Sequence, residues 1–472
     1  MKSPAPLLSV LLGVALPLCG AAQDGMSAAD RALAHDIFRE LVEINTTDSL
    51  GNTPRAARAM AQRLVTAGFP AADVRVLIGP DPQHGNLVAR YRGTGTAGKP
   101  IIVFAHLDVV PARRADWSVD PFTFLEKDGY FYGRGTTDNK AGDATLVADF
   151  IRLRRAGFRP RRDLILVLTG DEETAGSCMT WLVTKHRELI DAEFALNTDA
   201  GGGVLRDGRK VAFAVQASEK VYATYILEAT DKGGHSSLPR PADNPLYRLA
   251  PVLERLAQYQ FPVKLNEVSR AFFERSATVE SGSLAEDMRG VLKDPPDSAA
   301  VAHLGTVPYY NSKLRTTCTA TMMAAGHAEN ALPQSARLTV NCRILPGEPA
   351  SEVEATLRRL AADDRIALRA VYAPVPSPPS PLTPAIMGPI ERLVAEQFPH
   401  VPIVPVMEAG ATDGLFLRNA GIPTYGVSAV FEEQNDVRAH GRDERLRVQS
   451  FYEALEFWYR MMRAYAGESE HG

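Results

Sequence analysis

Ile101-Ile102-Val103-Phe104-Ala105-His106-Leu107-Asp108 opens with four β-branched or aromatic apolar residues and ends on two groups able to ligate a metal. A half-exposed strand alternates apolar and polar residues, whereas an unbroken apolar run marks a strand covered on both faces, as in parallel sheets. Leu164–Thr169 is a second such run and Phe194–Asn197 a short third. Around them apolar residues recur at helical spacing over 30–44, 53–68, 141–155 and 177–189, with strand-like runs at Val74–Ile78 and 86–91. Strands alternating with helices predict an α/β domain: a mostly parallel sheet with helices on both faces.

The pattern changes after Asp199. Val221–Thr230 alternates, 245–259 is helical, 316–322 and 336–343 are strand-like, 351–362 is helical and 366–371 strand-like. The order β-α-β-β-α-β predicts a smaller ferredoxin-like α+β domain. Residues 261–314 are an insertion within it; their Phe272, Phe273, Tyr309 and Tyr310 either line an apolar acyl pocket or form the insertion's own core. A proline-rich link at 373–379 leads back to helices from Ile386, Thr412 and Val448 around a strand at 402–405. The expected division is a leader at 1–22, the α/β domain at 23–217, the small domain at 218–373, and the α/β domain again at 374–472.

The 472 residues are 45% hydrophobic and 23% charged, enough for a large core. Lys and Arg number 52 against 56 Asp and Glu, a net charge of −4, so no cationic excess exists to neutralise a nucleic-acid backbone. Lys2, an apolar run over 7–18 and small residues through Ala22 read as a signal peptide cut after Ala22; the run is too short to span a bilayer. The mature chain is therefore expected to be exported, periplasmic or extracellular, with no integral membrane segment. It keeps Cys178, Cys318 and Cys342. Cys318 and Cys342 either pair in an oxidising compartment, or all three remain buried thiols. Neither a CxxC motif nor a Cys/His cluster is present, so the cysteines are not read as a metal site.

The polar residues cluster where the strands end, which is where open α/β sheets build sites. His106 and Asp108 follow the first run, Asp138 lies in the loop Gly133-Arg134-Gly135-Thr136-Thr137-Asp138-Asn139-Lys140, Glu172-Glu173 follow the second run, and Asp199 the third. Far downstream, Ala439-His440-Gly441-Arg442-Asp443-Glu444 adds an imidazole. Each residue alone reads as a turn, cap or surface group; four convergent loops together read as a site.

With Pro111, Trp117, Pro121-Phe122, Gly234-His235-Ser236-Ser237, Arg315-Thr316-Thr317, Asn330, Pro333 and Asn341-Cys342-Arg343, these motifs resemble the di-zinc metallopeptidase family of aminoacylases, glutamate carboxypeptidase and carboxypeptidase S. Residues 315–347 look most similar to the carboxypeptidase S and secreted N-acyl-amino-acid hydrolase branch. The resemblance implies that Asp138 bridges two Zn²⁺, with His106 and Asp199 on one and Glu173 and His440 on the other. Such His and carboxylate donors would also accept Co²⁺ or Mn²⁺. Asn139 stands where the family often has a second Asp or a Gly. Asp108 would orient His106, and Glu172 would take the proton of a water shared by the metals and return it to the leaving amine. His235 would stabilise the oxyanion across a homodimer built by the small lid domain, and Asn330 and Arg343 would hold the substrate carboxylate. The expected activity is hydrolysis of an amide beside a free α-carboxylate, in a small peptide or N-acyl amino acid. Two alternatives remain: an aminopeptidase or dipeptidase, marked by an acidic side chain beside the substrate amine, and a non-catalytic zinc-binding protein, marked by loss of the base or of ligands.

Overall fold

The computed structural model describes residues 26–467, so the 1–22 leader lies outside the described residues. Strands Ile101–His106 and Leu164–Thr169 are wholly buried. Their alternate residues divide between two cores. Ile101, Val103 and Ala105 join a core packed by the helices Ala28–Glu43, Lys140–Arg155 and Val448–Ala466; Ile102 and Phe104 join one packed by Ser177–Lys185 and Gly414–Asn419. A strand used on both faces has no position left for a polar residue. Each large apolar side chain so buried contributes about 1.5–3 kcal/mol.

The main sheet is parallel through its centre. Ile101–His106 runs parallel to both Leu164–Thr169 and Phe194–Asn197, and the last also to Thr424–Gly426. Antiparallel pairs flank this centre: Gly85–Tyr91 with Leu164–Thr169 on one side, and the hairpin Gly202–Arg206/Arg209–Glu219 on the other. Alternation does not reveal this hairpin in the sequence, because Gly202, Gly203, Ala212 and Ala214 dilute its apolar pattern.

The small sheet is antiparallel throughout, with Thr317–Ala325, Ser335–Ile344, Val221–Thr230 and Ala367–Ala370 side by side in that order. Together with the helices Pro245–Gln258 and Ala350–Ala361 it is the expected ferredoxin-like arrangement. Cys318 and Cys342 sit opposite each other on neighbouring strands and are disulfide-bonded, which decides between the two readings left open by the sequence. The chain passes from the main sheet at Glu219 to the small sheet at Val221.

One domain assignment is corrected. Residues 261–314 interrupt the small domain in sequence, but the helix Glu267–Val279 packs on the strand Ile403–Glu408 of the main sheet. Phe272 and Phe273 share a core with Val404 and Val406. The insertion thus belongs by packing to the α/β domain, because its apolar helix face meets an otherwise uncovered strand there.

Candidate metal centre

The loops after the central strands converge as their order requires. His106 ends its strand with the side chain almost fully buried, and its Nε2 lies 3.0 Å from Asp138 Oδ1 and 3.3 Å from Asp199 Oδ1. His440 Nε2 lies 3.0 Å from Asp138 Oδ2 and 3.0 Å from Glu173. Asp138 therefore turns one oxygen to each imidazole. Two donor groups result, His106/Asp138/Asp199 and Asp138/Glu173/His440, with the ligand atoms of each within 4.8 Å of one another. Asp138 is common to both. All five residues expected as ligands are here.

The charge balance favours cations. Asp108, Asp138, Glu172, Glu173 and Asp199 face two imidazoles, with buried Lys140 acting on Asp108 from behind. Burial acts to lower the pKa of His106, but Asp199, Asp108 and Asp138 outweigh it and hold the imidazole well above its ordinary value. Hydrogen bonds to Asp138 and Glu173 raise His440 to about 10. Burial resists ionisation of Asp138, yet the bonds to both imidazoles hold it far below the usual carboxylate range. The pull these carboxylates exert on imidazolium is the pull they would exert on divalent cations, and hard oxygen and imidazole donors suit zinc. The donor set fits two metals.

Glu172 stands next to this set, its carboxyl pushed well above the usual range by burial and then by Asp199. Asp108 holds its turn: the carboxylate accepts the backbone N–H of Glu172 at 3.1 Å and of Glu173 at 2.9 Å. The contact to His106 Nδ1 comes mainly from the Asp108 backbone carbonyl at 3.0 Å, with the carboxylate at 3.6 Å. Asp108 thus positions the Glu172–Glu173 turn as well as the His106 ring.

Two residues beyond the expected set shape the site. Glu444 is fully buried, pairs with Arg134 at 2.6 Å, and accepts the backbone N–H of Gly135, Thr137 and Asp138. It clamps the loop that presents Asp138. Burial raises its pKa, against the opposing field of Arg134. A carboxylate four residues after His440 gave no sign of this task, because its partners lie some 300 positions upstream. Asn139 donates from Nδ2 to Asp199 at 2.9 Å and accepts from Thr198 at 3.1 Å, so its amide fixes a ligand. A Cβ on Gly142 would stand 2.0 Å from Asn139 Oδ1, so glycine is required there.

The small-domain residues lie outside these donor groups. His235 is exposed, and its Nδ1 accepts from the Ser237 backbone N–H at 3.2 Å. Its strand pairs with Ala331–Leu332, and the backbone N–H of Ser236 donates to the carbonyl of the exposed Asn330 at 3.0 Å, which brings Asn330 alongside. Neither residue joins the ligand groups of its own chain. Arg343 stacks over Tyr222 at 4.6 Å and donates to the Ala409 carbonyl at 3.0 Å, reaching the loop that follows Ile403–Glu408. A third cluster, His84/Asp171/Cys178, is within ligating distance, but Asp171 is engaged by the N–H groups of Ser177 and Cys178, and burial holds the thiol protonated.

Residues 102–464 match the sequence profile described as peptidase family M20/M25/M40. The chain belongs to this family. Human N-fatty-acyl-amino acid synthase/hydrolase PM20D1 is 29% identical over 386 residues, covering 79% of this chain and 75% of its own. Probable carboxypeptidase S-like 2 of Dictyostelium discoideum is 28% identical over 392 residues, covering 80% and 74%. Among solved structures, the M20 metallo-carboxypeptidase Sso-CP2 from Sulfolobus solfataricus superposes with a TM-score of 0.68 at 18% identity, covering 92% of this chain and 99% of its own. The Bacillus subtilis YXEP protein, described as a dinuclear metal-binding M20 peptidase, gives 0.58 at 12%, covering 92% and 98%. The expected M20-type fold and a carboxypeptidase-like metallohydrolase are thereby established. Among the described residues, no helix is long and apolar enough to cross a membrane.

Proposed function

We propose that the chain is an exported di-zinc amidohydrolase that cleaves N-acyl amino acids at the amide beside their free α-carboxylate. The observation that carries this reading is the divided carboxylate of Asp138, one oxygen toward His106 and the other toward His440. The names of the PM20D1 and carboxypeptidase S-like relatives support the substrate class.

Two zinc ions held by His106, Asp138, Asp199, Glu173 and His440 would acidify a water and polarise the scissile carbonyl. Glu172 takes the proton of the attacking water and passes it to the leaving amine. Its elevated pKa suits both halves of that task. Asp108 keeps Glu172 and Glu173 apart in role by fixing their shared turn. Arg343, with a planar guanidinium, grips the substrate carboxylate in its own chain's site, and Asn330, which lies beside His235, does so in the partner's.

His235 donates to the oxyanion in the site of a partner chain. Its exposure supports that assignment, as does the edge strand Thr317–Ala325, where Met322 is 69% and Met323 43% exposed. Pairing of that edge would protect it in a homodimer. The Cys318–Cys342 bond supports an oxidising destination.

The test is a hydrolysis panel of N-acyl amino acids, N-blocked dipeptides and free dipeptides, with zinc restored after chelation. Turnover of N-acyl amino acids that chelation abolishes and zinc returns is the expected result. Cleavage of free dipeptides alone, or full activity without metal, would reject the reading.

A further inference from the structure

The hairpin Gly202–Arg206/Arg209–Glu219 has two unlike faces. Phe213 and Val215 enter the main core, whereas Ala212 and Ala214, on the opposite face, are only half-buried. Across a gap from these alanines lie Phe272 and Ser276 of the helix Glu267–Val279 and Tyr309 of the helix Pro308–Leu314. The gap is about 520 Å³, inside the roughly 300–1,000 Å³ typical of small-molecule sites. Ala212 and Ala214 pack at the margin of the core that holds Phe272, and beyond that margin the small residues leave a trough whose apolar wall is completed by Tyr309 and whose rim carries the Arg206–Glu280 ion pair. Tyr309 is 53% exposed, yet desolvation holds its hydroxyl above the ordinary phenol range. Its ring is an accessible wall of a recess, not a projection into solvent.

The trough borders the candidate metal centre. Gly201, two residues beyond Asp199, and Glu432 line both the trough and the cavity of about 140 Å³ beside Asp138 and Asp199. From Gly201 the trough follows the strand Gly202–Arg206, a run of about 16 Å at roughly 3.3 Å per residue.

We infer that this trough seats the hydrocarbon chain of the substrate's acyl group, with Ala212 and Tyr309 setting the chain length accepted. The inference rests on the N-acyl amino acid reading and names the acyl class: medium to long and unbranched. The insertion at 261–314 supplies the roof: Phe272 packs into the core it shares with Val404 and Val406, and it also faces the trough together with Tyr309. Each methylene that leaves water for the trough is expected to improve kcat/KM about fourfold until the trough is full.

The test compares N-acetyl-, N-octanoyl-, N-dodecanoyl- and N-hexadecanoyl-phenylalanine on wild type, Ala212→Phe and Tyr309→Ala. Wild type is expected to favour the longer chains. Ala212→Phe, which fills the floor, should lower the dodecanoyl-to-acetyl ratio of kcat/KM at least tenfold, and Tyr309→Ala should lower it several-fold. Tyr309 is surface-accessible, so its variant decides the matter if Ala212→Phe does not fold. Calorimetric binding of N-dodecanoyl-phenylalanine to zinc-free protein supplies a second readout, expected in wild type and weakened in both variants. Unchanged ratios and unchanged binding in the folded variants would overturn the trough. Absence of any N-acyl hydrolysis by wild type, with binding that still depends on Ala212 and Tyr309, would overturn the proposed reaction and leave the trough standing.

Discussion

Replacing Glu444 by alanine tests how the site is held together. Glu444 is 0% and Arg134 2% exposed, and their ion pair is 2.6 Å long. Removing one partner of a buried pair typically costs about 3–5 kcal/mol, because the other charge stays behind uncompensated. The N–H groups of Gly135, Thr137 and Asp138 also lose their acceptor, which moves the expectation to the upper end of that range. Against a total stability of roughly 5–15 kcal/mol this is severe. Urea unfolding followed by tryptophan fluorescence is well suited, since Trp117 stacks on Arg134 at 5.0 Å. Zinc affinity, read by chelator competition, should fall about 10–100-fold, as for other residues that orient ligands. A second variant separates the two effects. Arg134→Met combined with Glu444→Leu removes both charges, so most of the stability should return, while zinc affinity stays low because the loop amides still lack an acceptor. The reasoning fails if Glu444→Ala is within about 1 kcal/mol of wild type and binds zinc unchanged.

Glu172→Gln should retain two metals per chain yet lose about 10²–10⁴ in kcat; metal analysis alongside wild-type turnover would reject its role as base. Lys220 is buried, and burial followed by Lys313 and Arg343 lowers its pKa to about 7, with Glu348 opposing. Between pH 7 and 10 the unfolded chain binds this proton and the folded chain does not, so stability rises with pH through that window and the penalty is complete below it. Lys220→Met should therefore gain most over wild type at pH 6, with the difference shrinking by a few kcal/mol towards pH 10 in urea titrations; a pH-independent difference would refute this. The 24-residue separation of Cys318 and Cys342 implies a loss of about 3 kcal/mol in Cys318→Ser/Cys342→Ser, read from its urea midpoint, and an unchanged midpoint would contradict it. Mixing dissociated His235→Ala and Glu172→Gln chains should restore part of the activity that each lacks alone; mixed dimers that stay inactive would show that His235 does not act across the interface.

The central strands were legible because burial on both faces leaves an unbroken apolar run, and Leu164–Thr169 and Phe194–Asn197 have the bounds read from it. The candidate ligands His106, Glu173 and Asp199 were legible through their place at strand ends. Less so was the Gly202–Arg206/Arg209–Glu219 hairpin, where glycine and alanine carry no periodic signal yet form the floor of the trough. Asn139 looked like a departure from a family pattern; in the structure its amide is a bond to Asp199.

The sequence by itself determined which residues bear charge or are able to ligate a metal, and the periodicity that makes one domain parallel and the other ferredoxin-like. Those are local properties, set by residue type and by spacings of two or of three to four. Tertiary structure alone decided that Glu444 clamps the Asp138 loop, that the 261–314 insertion covers the main sheet, and that Cys318 meets Cys342. Each depends on which distant surfaces exclude water together, and that choice belongs to the whole chain's packing, not to any one segment's pattern.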